Sequence, residues 1–403
     1  MSPQPVTSPP DNSRLLALGW GAFLACSWTW CIGMFLPVLL VRDFGDAGWL
    51  VFAAPNVVGA AAMGWVLRRR ETAQRIAESH RAAAGAFSVV TILFHVFFVG
   101  WIVRALVGDV AEIFTVAAAA AFYLIGRRGR RDLFLGAAVL AASLAFFAFA
   151  AWGPGAEDAI PLRTGGLSAS GLLGLAPVCA FGFALCPYLD LTFLRARAAT
   201  TANAAIAAFT LGFGIFFLLM IVFTLWYAHF LQPRYLAALP RPLAWVIALH
   251  MMLQTAFTLA VHARAIAPPA RDWRGPAILV ACAVIVFFVG VYADRLRLPF
   301  LSGGELVYRL FMALYGLVFP AYVWLCMVPG RGKVAAPDRG KLAVLAIVVV
   351  VAAPMFWMGF VAGRMFWLLP GLAVVLLARF ALPVRRETSR AKVTSGRPVA
   401  GGR

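Results

Sequence analysis

Charged side chains are scarce in this sequence. Only 13% of its 403 residues are Asp, Glu, Lys or Arg, whereas 63% are hydrophobic, and the mean hydropathy is +0.88. A soluble domain of this size needs many more charges to cover its surface. The balance therefore excludes a soluble globular protein and indicates a polytopic membrane protein whose surroundings are the lipid bilayer.

Acidic side chains are the scarcer of the two charged classes. The chain has 16 Asp and Glu against 35 Lys and Arg, a net charge of +19. In a soluble protein this excess would suggest a nucleic-acid partner, but here the basic residues cluster in segments between apolar runs, which is typical of membrane topology. Because no basic surface interleaved with aromatic residues lies outside those segments, we expect no nucleic-acid partner.

Motifs of catalysis and metal binding are also lacking. The sequence contains no HExxH, GxSxG or Walker motif and no cluster of His and Asp, so we expect neither an enzyme nor a cofactor. The six cysteines fall in apolar segments without the spacing of metal ligands, and we expect them to be small buried residues. Since there is no ATP-binding domain, any transport would be driven by a gradient.

Apolar runs, by contrast, are abundant, and each is near the length that crosses a bilayer, about 20 residues. They predict an all-α fold of 12 transmembrane helices in one membrane domain over 15–383, between a disordered tail at 1–14 and a basic tail at 384–403. The runs lie at about 15–41, 48–67, 85–107, 110–126, 132–152, 168–194, 202–228, 242–262, 275–292, 304–327, 341–360 and 364–383.

The basic residues predict how these helices are oriented. If the N-terminus is cytoplasmic, 26 of the Lys and Arg residues lie in inside segments and nine in outside segments, and the two kinds of segment alternate. Positive charge accumulates on the cytoplasmic side, so both termini are predicted to be cytoplasmic. The high content of Ala, Arg and Gly suggests a GC-rich bacterial genome, and hence the bacterial inner membrane.

Two predicted helices contain residues that interrupt helices. The first contains CSWTWCIGMFLP at 26–37, and the sixth contains AFGFALCPYLDLTF at 180–193. These helices open two consecutive sets of five, about 15–152 and 168–327, followed by two extra helices at 341–383. Five is odd, so the sets would enter the membrane from opposite sides as inverted repeats, and matched breaks would mark a site at the midplane. The alternative is that Gly and Pro merely kink each helix.

At this point the chain resembles the leucine-transporter (LeuT) fold of the amino acid–polyamine–organocation superfamily. DFGDAGWLVFAAPNVVGAAAMGWVLRRR at 43–70 is similar to the second core helix of sodium:solute symporters. RETAQRIAESH at 70–80 lies where those proteins have a short cytoplasmic helix, and FGFALCPYLDLTFLRAR at 181–197 resembles their sixth core helix. The resemblance covers about residues 15–327. It implies a 5+5 inverted repeat, alternating access and symport of a small solute.

The two breaks supply the candidate site residues. The resemblance implies that the substrate binds between the breaks and the third and eighth helices. Candidate walls, gates and polar contacts are Ser27, Trp28, Thr29, Trp30, Gly33, Phe181, Gly182, Tyr188 and His95. It also implies sodium binding between carbonyls of the first break and hydroxyls of the eighth helix, although the adjacent hydroxyl pair typical of the family is missing. Candidates for coupling to Na+ or H+ are Cys26, Thr29, Thr255, Thr258 and Asp190.

Asp190 and His95 each have a functional and a structural interpretation. Asp190 follows Pro187 by three residues, so its carboxylate could bind a coupling proton, a cation or a substrate amine. It could equally cap the following half-helix or pair with Arg195. His95 could titrate in a proton pathway or donate a hydrogen bond to a neighbouring helix.

The sequence leaves two classes of function open. One is a gradient-driven transporter of a small organic solute. The other is a symporter fold that no longer transports and acts as a membrane sensor or scaffold, which the incomplete sodium motif favours. The identity of the solute and the oligomeric state are not predicted.

Overall fold

The computed structural model describes residues 14–127, 130–152, 165–231, 239–267, 274–297, 301–328 and 335–382. Within these ranges the chain is almost entirely helical and forms no strand, which confirms the all-α prediction. The predicted tails at 1–14 and 384–403 lie outside the described residues, except for Arg14, which begins the first helix.

Fifteen helices follow one another along the described chain, numbered here in order. They are α1 (Arg14–Trp28), α2 (Cys31–Phe44), α3 (Asp46–Val66), α4 (Arg70–Ser79), α5 (Arg81–Val107), α6 (Val110–Gly126), α7 (Arg131–Trp152), α8 (Gly171–Leu189), α9 (Leu191–Ala198), α10 (Ala202–Tyr227), α11 (Arg241–Ala265), α12 (Arg274–Arg295), α13 (Gly303–Met327), α14 (Arg339–Phe360) and α15 (Met365–Ala381).

Among the described residues, nine helices are long and apolar enough to cross a membrane, and the bent pair α1–α2 makes ten if it is one span. The apolar helices α6 and α15 are shorter than a usual span. The protein is therefore an all-α polytopic membrane protein, while the count of twelve spans remains a prediction. The short polar helix expected at 70–80 is present as α4.

The first break lies earlier than the positions of Gly33 and Pro37 suggest. Helix α1 ends at Trp28 and α2 begins at Cys31, and their axes differ by 59°. Gly33 and Pro37 both lie inside α2, which continues through the proline. A proline removes one N–H bond from a helix, and tight packing on other helices can tolerate this loss. The interruption is therefore at Thr29–Trp30.

The second break is close to the predicted position. Helix α8 tightens into a 3-10 turn at Cys186–Leu189, and Asp190 separates it from α9. Pro187 is in this turn, where a missing N–H costs little because the first N–H groups of a helical turn have no partner within it. Gly182, in contrast, lies within the regular part of α8.

Six of the helix packings form three pairs that are related by a shift of five predicted spans. Helix α3 packs on α8, and α10 packs on α1. Helix α6 packs on α11 and α12 on α5, while α7 packs on α1 and α13 on α8. Each member of a pair becomes the other when the first five spans are exchanged with the next five. Helices α14 and α15 pack on each other, α14 also on α13 and α15 on α8.

Two of these packings depend on glycines. A Cβ atom on Gly59 of α3 would lie 2.4 Å from the carbonyl oxygen of Phe183 in α8. A Cβ atom on Gly212 of α10 would lie 2.8 Å from the carbonyl oxygen of Gly21 in α1. Small residues let membrane helices approach closely and gain van der Waals contact. The two related packings are therefore both close backbone contacts.

We predict that Gly59→Ala destabilises the protein, because the added methyl group meets backbone atoms that cannot move aside cheaply. The matched control is Gly85→Ala in α5, where an added Cβ would have no neighbour within 4 Å. Overpacking of this kind costs about 1–3 kcal/mol. Thermal unfolding of the purified protein should show a lower melting temperature for Gly59→Ala only, and equal melting temperatures would contradict the close packing.

Candidate functional site

The backbone groups freed by the first break are bonded to distant side chains. The N–H of Cys31, at the start of α2, donates to Nε2 of His95 in α5 over 3.2 Å. The hydroxyl of Tyr308 in α13 donates to the carbonyl oxygen of Cys31 over 3.1 Å. In a bilayer an unpaired backbone group costs several kcal/mol, so these buried side chains stabilise the break. His95 thus contacts a neighbouring helix as an acceptor rather than as the expected donor, and its Nδ1 lies 2.7 Å from the carbonyl oxygen of Thr91 in its own helix.

The hydroxyls of the first break bond mainly within their own helix. The side chain of Thr29 donates to the carbonyl of Ala25 over 2.8 Å, and that of Ser27 donates to the carbonyl of Leu24 over 3.1 Å. Trp28 donates through its indole to the side-chain oxygen of Asn56 in α3 over 2.6 Å. Asn56 is a buried polar partner that the sequence analysis did not single out.

Asp190 caps the half-helix that follows the second break. Its Oδ1 atom accepts from the N–H and from the hydroxyl of Thr192, each over 2.7 Å. This is the usual geometry of an N-cap, so the predicted cap is present. The predicted pairing with Arg195 is wrong. Arg195 instead forms an ion pair with Asp132 of α7 at 2.6 Å.

The two breaks meet in the interior of the protein. The hydroxyl oxygens of Thr192 and Ser27 are 3.2 Å apart, so the end of α1 is in polar contact with the start of α9. A hydroxyl has one proton, so Thr192 donates either to Ser27 or to Oδ1 of Asp190. The rings of Trp28 and Phe193 pack beside this bond with their centroids 5.0 Å apart. The four side chains are buried, so the contact is closed to solvent.

Trp30 fills the space between the breaks. Its ring lies 4.8 Å from that of Trp28 and 5.1 Å from that of Phe87, measured between centroids. It also contacts the rings of His95, His262 and Tyr315. Three aromatic residues and two histidines thus surround the indole, which is only 3% exposed.

A buried carboxylate and a buried histidine face each other beside Trp30. Oδ2 of Asp190 and Nε2 of His262 in α11 are 3.9 Å apart, and neither atom has a hydrogen-bond partner among the described residues. Nδ1 of His262 lies 3.1 Å from the hydroxyl of Ser88 in α5. Both residues are 0% exposed. His262 was missed in the sequence because it follows the apolar part of its helix and precedes Arg264.

The expected sodium ligands are only partly brought together. The hydroxyl of Thr258 lies 3.5 Å from the carbonyl oxygen of Cys26 and donates to it directly. The hydroxyl of Thr255 is buried and has no partner among the described residues. Gln254, which precedes it, donates to Ser143 over 2.9 Å. Asp190 belongs to the separate group around His262, so the five candidates do not form one cluster.

Three further candidates lie away from Trp30. The ring of Phe181 packs against that of Trp324, with centroids 6.0 Å apart. Tyr188 is partly buried and makes no ring contact with Trp30 in the described part of the chain. Gly182 lines a cavity between α2, α8, α13 and α14, together with Tyr315. Its free space is about 40 Å³, enough for a few waters but not for an organic solute.

An ion-pair network covers this cavity at the predicted outer end. Arg42 of α2 donates through both Nη atoms to the carboxylate of Glu305 in α13, over 2.6 and 2.7 Å. Arg309 donates to the same carboxylate over 2.7 Å and also bonds to Asp43. The four charges balance, which offsets part of the cost of burying them. Glu305 is therefore shared by two arginines, one from each side of the cavity.

A second network connects helices at the predicted inner end. Asp132 at the start of α7 pairs with Arg195 of α9 at 2.6 Å and lies 3.7 Å from Arg264 of α11. Arg197 of α9 bonds to the backbone carbonyls of Leu67 and Arg68 after α3. Each broken span thus ends in charged contacts, on opposite sides of the site.

No known family pattern matches the chain, and no curated protein is significantly similar to it. Within the described residues, no group of three or more His, Cys, Asp and Glu side chains could hold a metal ion.

We predict that the contact between the breaks contributes to stability. Ser27→Ala and Thr192→Val should each destabilise the protein, and the double variant should lose about 0.5–1 kcal/mol less than their sum, because the two hydroxyls bond to each other. The control pair is Ser27→Ala with Thr115→Val, whose hydroxyl bonds within α6. Denaturant unfolding in detergent measures both cycles. If the first pair were additive too, the breaks would not be coupled.

Proposed function

We propose that the protein is a gradient-driven secondary transporter of a small organic solute. The observation that carries the proposal is the contact of two interrupted spans through Ser27 and Thr192 in a buried, polar centre. Helices broken near the midplane are where transporters expose backbone groups to a solute or an ion. A continuous helix would span the bilayer more stably, so two breaks that meet need a functional explanation.

The paired packings support the proposed inverted repeat. In this scheme α1–α7 form one repeat and α8–α13 the other, with α14 and α15 added outside. The related packings of α3 on α8 and of α10 on α1 are both close backbone contacts. Two similar halves packed around one axis can rock against each other while the site between them stays fixed. This motion is the basis of alternating access.

The charged networks at the two ends support two alternating closures. The outer one joins α2 to α13 through Arg42 and Glu305. The inner one joins α9 to α7 through Arg195 and Asp132. Both are intact here and Trp30 fills the centre, so we interpret this conformation as closed on both sides. Opening either network would have to move Trp30 to admit a solute.

A second candidate function is a membrane sensor or scaffold with a symporter-like fold. The observation that favours it is that the hydroxyls of Ser27 and Thr29 at the first break bond to carbonyls one turn earlier in the chain. The filled centre and the cavity of only about 40 Å³ are consistent with it as well. The two functions differ in whether solute crosses the membrane.

Uptake into proteoliposomes distinguishes the two functions. The purified full-length protein would be given labelled amino acids, sugars, nucleobases and organic anions under an imposed proton or sodium gradient. We expect at least one compound to accumulate only when the gradient is present. If none accumulates in protein that remains folded, the sensor or scaffold is favoured.

We predict that uptake depends on the size of residue 33. A Cβ atom on Gly33 would lie 3.6 Å from the ring of Phe217, an ordinary contact, so Gly33→Ala should keep uptake. The branched side chain of Gly33→Leu would press on Phe217 and displace α2 from α10, with a cost of about 1–3 kcal/mol. Its uptake rate should fall about fivefold or more, as 1.4 kcal/mol corresponds to a factor of ten. Equal rates for the two variants would contradict a site at the first break.

A further inference from the structure

Asp190 has a carboxylate that its cap bonds do not fully satisfy. Oδ1 accepts both bonds from Thr192, whereas Oδ2 has no partner among the described residues and the side chain is 0% exposed. An N-cap needs only one carboxylate oxygen and is served equally well by Asn. A buried carboxylate inside a membrane is costly unless a proton or a cation neutralises it.

His262 is the only basic side chain within 4 Å of this carboxylate in the described part of the chain. The nearby arginines are bonded elsewhere. Arg195 and Arg264 are directed to Asp132, and Arg197 is bonded to the carbonyls after α3. Asp190 therefore has no permanent positive partner, and its charge depends on a proton.

The other titratable groups around the pair are on α4, α5, α8 and α13. His95 of α5 also contacts the ring of Trp30 and interacts electrostatically with His262, and Tyr315 of α13 and Cys186 of α8 are buried close by. At the inner end of α9, Glu71 of α4 lies near Arg197. None of these groups bonds to Oδ2 of Asp190 or to Nε2 of His262. The two unpartnered atoms lie 3.9 Å apart, and the hydroxyl of Tyr315 is also without a partner among the described residues.

We propose that Asp190 and His262 together hold one exchangeable proton and that this proton is the coupling ion of the transporter. The coupling role of the proton rests on the proposed function, whereas the existence of the proton site does not. When the proton is bound, it lies on Oδ2 or on Nε2 and the pair is neutral overall, as acid and imidazole or as carboxylate and imidazolium. When it leaves to water, the pair carries one negative charge.

The ligand set excludes sodium at this position. Hard cations are bound by several oxygen atoms, whereas Oδ2 of Asp190 faces an imidazole nitrogen. The separation of 3.9 Å is too long for a hydrogen bond. A movement of about 1 Å brings the atoms within hydrogen-bond reach of each other. The pair is therefore built to close and open around a proton.

The proton would be linked to the first break through Trp30. The rings of His262 and Trp30 are edge to face, with centroids 5.5 Å apart and planes at 72°. A protonated imidazole attracts an indole more strongly than a neutral one does, because the ring faces of aromatic side chains are negative. Trp30 stands at the interruption between α1 and α2. Gain or loss of the proton can therefore bias the angle of the break.

The test measures charge movement without any solute. Proteoliposomes with the full-length protein are adsorbed on a solid-supported membrane, and a pH jump or a sodium jump is applied. We expect the wild type to give a transient current after the pH jump only. Asp190→Asn, which keeps the N-cap, and His262→Gln should each reduce this current at least tenfold.

His250→Gln is the matched control for His262→Gln. His250 is on the same helix, is 0% exposed and has no hydrogen-bond partner among the described residues, but it packs against Phe223 and Tyr227 instead. Its current should equal that of the wild type. If Asp190→Asn does not fold, infrared difference spectra of the wild type on titration serve instead. Carboxyl and imidazole bands should change together in one step and should be lost in His262→Gln.

Several results would overturn the proposal. These are an unchanged current in both variants, a current evoked by sodium and lost in Asp190→Asn, no pH-jump current from folded wild type, or infrared bands that titrate in separate steps. The transporter is judged separately. If solute uptake is driven by sodium and is retained in Asp190→Asn, the protein is a transporter but the proton is not its coupling ion. If a pH-jump current is seen but no solute is taken up, Asp190 and His262 bind a proton that is not coupled to transport.

Discussion

The contact between the two helix breaks is the constraint on which the rest of the structure depends. Each break frees backbone groups in a region where water is not available to bond them. The first break is bonded by His95 and Tyr308, and the second by the carboxylate of Asp190. Those side chains come from helices that must therefore surround the breaks. The positions of α5 and α13 beside the first break follow from this requirement.

The same contact explains the distribution of charge in the protein. Ionised groups at the predicted membrane ends are paired, as in Arg42 with Glu305 and Arg195 with Asp132. In the centre, among the residues that the structure describes, Oδ2 of Asp190 has a histidine opposite it and no arginine or lysine. Paired charges hold helices together, whereas a group that can lose its charge can release them. The ends are therefore suited to closing the protein, and the centre is suited to controlling when it opens.

The sequence was sufficient for the helical class, for the existence of two breaks and for the cap formed by Asp190. It misplaced the first break, because Gly33 and Pro37 have no strong local effect once α2 is packed on α3 and α10. The true position depends on His95 and Tyr308, which are 64 and 277 residues away from Cys31. The partner of Arg195 was unpredictable for the same reason, since Asp132 is distant in the chain and the rings of Trp20 and Phe23 orient the guanidinium. His262 gave no signal of its own, because a histidine at the end of an apolar helix is typical of a membrane boundary.

Alternating access is the central claim, and the native Cys179 tests it most directly. Cys179 lines the cavity beneath the outer network and is buried while that network is closed. Its reaction with a membrane-impermeant thiol reagent is measured in Glu305→Gln, which weakens the outer network, and in Asp132→Asn, which weakens the inner one, with Cys179→Ser as the blank. Loss of about 1 kcal/mol from a closure changes the open population about fivefold. The account predicts faster labelling in Glu305→Gln and slower labelling in Asp132→Asn than in the wild type, and equal rates in all three would contradict it.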